Sequence, residues 1–195
     1  QAINYIGVVS DSDQLVAVNR TINYVVALGT QTTEFFYDAG TTTGSPLLPN
    51  QSMRIEFGCA NGDSIVSLEQ AVIWIGTSKS TGTGVYMMEG VSPVKISTAY
   101  IDRILGDSTL TDIKSYIFKY NGHSFYVLTI HDLNVTIVCD LNEKVWYQWT
   151  MWAVGDADNG VPGVYAEQYF RPSYYVGNGI NYYFLDDDTG ALYTI

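Results

Sequence analysis

Between residues 115 and 149 the chain alternates short apolar runs with polar turn sequences. The run SYIFKY at 115–120 is rich in aromatic and β-branched residues and reads as a strand. Asn121-Gly122 follows, then HSFYVLTI at 123–130. Asn-Gly between two such runs is a strong hairpin signal, because both central residues of a type I′ turn need positive φ. Residues 131–134 make a second turn and VTIVCD at 135–140 a third strand. Residues 141–144 turn again, and VWYQW at 145–149 is the fourth strand. Four short strands joined by tight turns predict an antiparallel meander, the unit from which a propeller blade is made.

Similar pieces recur along the chain. Residues 24–29 pair with 33–37, 71–76 with 84–88, 125–130 with 135–140, and 173–176 with 180–185 and then 191–195. The starts at Tyr24, Ala71, Phe125 and Ser173 lie roughly 50 residues apart, a spacing of propeller-type arrays. The first strand of each pair is mostly apolar, as in strands covered on both faces. A helix is predicted at 98–105, with Ser97 or Thr98 as cap, Ile101, Ile104 and Leu105 on one stripe, and Gly106 as its end. A second short turn is expected at Ser108 or Thr109. Residues 40–49 and 155–163 read as turn-rich surface loops. The expected fold is all-β, made of about four antiparallel β-propeller-type blades with short helical connections. Residues 1–195 then form a single domain or a fragment of one.

Composition narrows the function. With 47% hydrophobic and 15% charged residues the chain has ample apolar surface for a core. Sixteen tyrosines suit half-buried strands and contact surfaces. A net charge of −11 repels phosphate, which argues against wrapping DNA but not against DNA sliding past. The longest apolar runs are of strand length, so no membrane-spanning helix is expected. The start is neither basic nor followed by an apolar stretch, so no signal peptide is expected. A start at Gln1 suggests a fragment or a processed chain. Cys59 and Cys139, each in an apolar setting, read as reduced core thiols, with one disulfide as the alternative.

Candidate chemistry is sparse. Asp186-Asp187-Asp188-Thr189-Gly190 supplies oxygen ligands for a cation or simply turns a hairpin. Asp156-Ala157-Asp158-Asn159-Gly160 is similar to part of a calcium loop but lacks its ligand order and distal Glu. His123 and His131 have no zinc spacing and no nucleophile motif beside them, and His131-Asp132 reads as a turn rather than an acid/base pair. No phosphate-binding loop is present. Arg20, Arg54, Arg103 and Arg171 are the only arginines available for the carboxylate clamp of a sialidase-type glycosidase. Trp146, Tyr147, Trp149 and Trp152 serve either blade packing or stacking on sugars. No catalytic, cofactor-binding or metal-ligating residue is assigned, and no cofactor is expected.

Several ordered stretches carry a resemblance. They are Thr33-Glu34-Phe35-Phe36-Tyr37-Asp38-Ala39-Gly40, then Gly58-Cys59-Ala60, Ser64-Ile65-Val66, Val72-Ile73-Trp74-Ile75-Gly76, Gly84-Val85-Tyr86, Gly90, Pro93 and Ile96-Ser97-Thr98. Gly122-His123-Ser124-Phe125-Tyr126-Val127-Leu128-Thr129 follows, then Asp140 with Trp146, and Asp188, Gly190 and Tyr193 near the end. In order and spacing these resemble the tail accessory, or packaged-DNA stabilisation, proteins of short-tailed phages. Val138-Cys139-Asp140 departs from that pattern, in which an aromatic usually precedes the Asp.

The resemblance implies a non-enzymatic virion protein of the tail, made in the host bacterial cytoplasm. It would sit as several copies in a ring below the portal, against portal, adaptor or other tail proteins, and meet packaged DNA only in passing. A carbohydrate-binding propeller module is the alternative function, and a glycosidase a more distant one.

Overall fold

The computed structural model describes residues 13–41, 44–78, 80, 82–154, 165–177, 181–186 and 189–194. They fall into two compact units, one running up to Gly106 and one from Asp107 onward.

The first unit opens with β1 (Leu15–Arg20), β2 (Val25–Gly29), β3 (Thr33–Asp38) and β4 (Leu47–Pro49), paired antiparallel in that order. β4 falls in the stretch expected to be a loop. It is three residues long and pairs at the sheet edge with β3, so its pattern is too short to read. The second sheet contains β5 (Gly58–Cys59), β6 (Val66–Leu68), β7 (Ala71–Ser78), β8 (Gly82–Glu89) and β9 (Ser92–Lys95). Both β5 and β6 pair with β7, and β8 and β9 continue the meander.

The inner faces of these sheets meet in one apolar cluster. Val26, Leu28 and Phe35 from the first pack with Cys59, Val72, Trp74 and Met88 from the second. Phe57 stacks on Tyr86 with ring centroids 4.4 Å apart, and the Trp74 indole N–H donates to the Gly58 carbonyl at 3.2 Å. Position 58 requires glycine for space, since a Cβ there would collide with the Gly29 carbonyl and the backbone of Thr30.

The turn from β2 to β3 is held from a distance by Asp13. Its carboxylate accepts from the backbone amides of Thr30 (3.1 Å), Gln31 (3.0 Å) and Thr32 (2.9 Å), and from both threonine hydroxyls. Burial would raise its pKa. The Thr30 hydroxyl, the Gln31 amide and Thr32 outweigh that and bring it down to about 2.

Helix α1 (Ala99–Asp107) closes the unit. Thr98 caps it, its hydroxyl accepting from the Ile101 amide at 3.4 Å. Asp102 in the first turn accepts from the Ser97 hydroxyl and the Lys95 ammonium, both at 2.6 Å. The expected stop at Gly106 does not occur. Gly106 stays helical, and the next left-handed residue is Leu110, with φ 55. At the expected second turn the chain bends at Ser108, whose hydroxyl accepts from the Leu110 amide at 2.9 Å, and the Ser108 hydroxyl and Thr109 amide donate to Asp132.

The second unit carries β10 (Ile113–Tyr120), β11 (His123–Ile130), β12 (Val135–Asp140), β13 (Val145–Val154) and β14 (Tyr165–Tyr169) as one meander. The predicted strands at 123–130 and 135–140 match to the residue. β13 runs five residues past its predicted end to pair with β14, which was not anticipated. Asn121 and Gly122 have φ 49 and 82, the double positive of a type I′ turn. A three-stranded meander follows, of β15 (Tyr174–Gly177), β16 (Tyr182–Leu185) and β17 (Leu192–Thr194).

The core of this unit is aromatic. Tyr116 and Phe118 of β10, Val127, Val138 and Phe184 form its centre, flanked by Phe125, Trp149, Phe170, Tyr175 and Tyr182. Phe118 is the hub, with ring centroids 4.9 to 5.6 Å from Phe125, Phe184, Trp149 and Tyr175. The described residues thus form four successive antiparallel meanders. No helix among them is long and apolar enough to cross a membrane.

Candidate functional site

One acidic position repeats through the four meanders. Asp38, Glu89 and Asp140 end β3, β8 and β12, each a strand that enters a hairpin, and Asp186 directly follows β16. Three of the four satisfy their own hairpin turn. Asp38 accepts from the Gly40 amide at 2.8 Å. Asp140 accepts from the amides of Asn142 (2.9 Å) and Glu143 (3.3 Å). Asp186 accepts from the Thr189 amide (3.3 Å) and hydroxyl (2.8 Å). This is Asx-turn chemistry, a side chain standing in for the backbone acceptor. The signal was present in the sequence as an acid closing each apolar run, but an acid at a strand end is common enough to pass unnoticed.

Asp140 does more than the others. The 121–122 and 141–144 turns lie at the same end of one meander, because β10 and β12 run in the same direction. This brings His123 to Asp140, with Nδ1 2.6 Å from Oδ2. Asn142 completes the stitch by accepting from the Ser124 amide at 2.9 Å. Burial of Asp140 would raise its pKa, but the His123 hydrogen bond and the Glu143 and Asn142 amides lower it.

A His–Asp pair is the orienting half of a nucleophilic triad. Among the described residues, however, the His123 ring makes no other hydrogen bond and stacks on the Phe125 ring with centroids 6.0 Å apart. The pair fastens two turns together.

The other sequence candidates are dispersed. His131 takes Asp112 as its partner, Nδ1 to Oδ1 at 3.0 Å. Asp132 faces the Ser108 hydroxyl (2.8 Å) and the Thr109 amide (2.8 Å) rather than His131. The Thr109 amide and the Ser108 hydroxyl lower its pKa. Arg54 pairs with Glu56 at 3.4 Å, and Arg103 lies over the Tyr100 ring at 5.7 Å. Cys59 and Cys139 are free and buried. Burial raises both thiols, and with the neighbouring Asp140 charge it takes Cys139 to about 12, which leaves it unreactive.

The tryptophan cluster does not form one platform. Strand alternation puts Trp149 and Tyr147 on one face of β13 and Trp146 and Trp152 on the other. Trp149 packs against the aromatic core, while Trp152 is 67% exposed. The 156–160 loop, Asp187 and Asp188 lie outside the described residues. Among the described residues no group of three His, Cys, Asp or Glu side chains is placed to hold a metal ion.

What does stand out is apolar surface. In the last meander Tyr174, Leu185 and Leu192 lie directly opposite one another across three strands. Val176 shares their face two residues along β15. Val176 is 67% exposed and Leu192 62%. The other face of the same sheet carries Tyr175 and Phe184, which pack into the aromatic core. A sheet buried on one face and apolar on the other is the pattern of a contact surface.

No individual curated protein matches the chain. The family model described as bacteriophage P22 Gp10, β-propeller, matches residues 2–194. The chain therefore belongs to this phage-stabilisation family of β-propeller proteins, and it is a structural component of the virion.

Proposed function

We propose that this protein acts in the phage tail as a nozzle or accessory factor, closing the head-to-tail channel and retaining packaged DNA by shape and protein contact. The observation that carries this reading is the exposed apolar row Tyr174–Leu185–Leu192 with Val176, on a family member whose described polar clusters serve turns rather than a reaction. Its partners would be further copies of itself in a ring and the portal or adaptor proteins above. It would be made in the host cytoplasm and incorporated into the tail. The net charge of −11 suits a channel wall that DNA passes without adhering. The carbohydrate-binding alternative loses its main support with the dispersal of the tryptophans.

The test is assembly. Electron microscopy of the protein with its portal-side partner should show a ring, and virions lacking it should lose their DNA. A protein that stays monomeric with that partner, and whose deletion leaves DNA retention intact, overturns the proposal. The double variant Val176→Asp with Leu192→Asp should abolish the ring while the circular dichroism spectrum stays unchanged.

A further inference from the structure

The outermost strands of the described sheets are blunted against further pairing, with one exception. An open edge offers unpaired amides and carbonyls to any other strand, and proteins blunt it with bulges, proline, lysine or brevity. β1 carries a bulge between Leu15 and Ala17. β4 contains Pro49, β9 contains Pro93 and Lys95, and β10 contains Lys114 and Lys119. β5, β6, β15 and β17 are two to four residues long. The exception is the ribbon that the end of β13 makes with β14. β12 pairs with β13 only over 145–149, so 150–154 pair with Tyr165–Tyr169 alone. The pairing runs without a register shift. The ribbon holds no proline, lysine or glycine, and Glu167 is its only charged residue. Both of its edges are open among the described residues, along 151–154 on one side and 165–168 on the other. A two-stranded ribbon is marginal on its own in water.

We infer that this ribbon pairs edge to edge with the ribbon of a second copy, β14 of one beside the end of β13 of the next, and that these junctions close the ring. The pairing rests on the ring of copies already proposed. The two open edges lie on opposite sides of one ribbon, so the contact is heterologous, and a heterologous contact whose rotation closes gives a ring. Strand direction fits. β13 and β14 are antiparallel, so rotation about an axis along the ribbons sets each β14 beside an oppositely directed β13. Every junction is then antiparallel, like the pairing within a copy. The product is a closed belt with two strands from each copy and no open edge. A strand from a different protein would cover one edge and leave the other open, whereas a repeat of the same ribbon covers both. Charge allows the approach. Chains of −11 repel one another, and this edge brings together backbone dipoles and a single carboxylate per copy. The exposed Trp152 supplies the apolar contact beside the junction.

The experiment is hydrogen–deuterium exchange of the full chain in three states: alone, bound singly to an excess of its portal-side partner, and in the assembled ring. The amides of 151–154 and 165–168 should exchange freely in the first two states and slow by roughly a hundredfold in the ring. The double variant W152K/Q168K places on this edge the lysines that blunt others. It should prevent ring closure while the circular dichroism spectrum and the melting temperature stay unchanged. A ring in which these amides exchange as in the monomer overturns the edge pairing and leaves the ring of copies standing. A ring that forms normally from W152K/Q168K does the same. Protection that appears when single copies bind the partner gives the edge to a strand of that partner and also overturns the proposal. If no ring forms under any condition, the ring of copies fails first and the edge pairing falls with it.

Discussion

In the first unit Trp74 is buried in a mixed cluster, with Val26, Leu28, Val72 and Met88 beside it and the rings of Phe57 and Tyr86 near its indole, and a glycine at 58 lets two backbones touch. In the second unit four aromatic rings pack around Phe118, Phe125 stacked, Trp149 and Tyr175 tilted and Phe184 edge to face. Their polar anchors differ in the same way. Asp13 reaches 17 residues along the chain to neutral donors only, the amides and hydroxyls of 30–32. Asp140 reaches 17 residues back to His123, an ionisable partner. Two meander pairs of similar topology are therefore fixed by different interactions, and each should respond to a different perturbation. Topology constrains where an anchor is needed. It leaves open which side chain provides it.

The largest effect should come from the aromatic hub. Phe118→Ala removes a ring in contact with four others and should cost about 3–5 kcal/mol in denaturant unfolding. Hydrogen exchange should accelerate first in β10, β11 and β16. A loss below about 1 kcal/mol would show that the surrounding rings repack and that no hub exists.

Asp13→Ala comes next. It strands three amides and two hydroxyls and should cost about 1–3 kcal/mol. The pH dependence has a definite sign. The folded-state pKa of about 2 lies below the usual carboxylate value of about 3.9. The stabilisation is therefore fully present above that usual value and is lost as pH falls through about 2. Melting curves of the wild type and Asp13→Ala should converge over that acid window. Curves that stay parallel would contradict the assignment.

A smaller effect is expected at Asp140→Asn. The amide still accepts from Asn142 and Glu143 but removes the charge facing His123, at a cost of about 1 kcal/mol. Because the Asp140 pKa is also lowered, this contribution is present at neutral pH and fades as acid protonates the carboxylate. A companion His123→Phe variant should make the Asp140→Asn effect nearly vanish in a double-mutant cycle. The smallest effect is at a turn. Asn121→Ala should cost a little less, about 0.5 kcal/mol, since alanine tolerates positive φ less well than asparagine.

Much of the fold was legible because hairpin chemistry is local. The β11 and β12 bounds and the type I′ turn at 121–122 followed from residues within a few positions of each other. The acids that close β3, β8 and β12 and follow β16 were equally local, yet they carried no meaning until the hairpin turns they serve were in place. The helix end was misread at Gly106, where nothing in the fold required a left-handed residue. Strands β1, β4, β5, β6, β9 and β14 were missed because strands at sheet edges need only one partner, and their side chains need no periodic pattern.

The sequence alone determined the fold class and the repeat near 50 residues, since these depend on turn residues and alternation that act over short range, while the family was legible only through the order and spacing of the resembling stretches. Only the tertiary structure decided which side chains meet. It placed Asp13 on 30–32 and His123 on Asp140, and separated Trp149 from Trp152 by the pleat. Each of these depends on strand register and sheet packing, which no local stretch of residues specifies by itself.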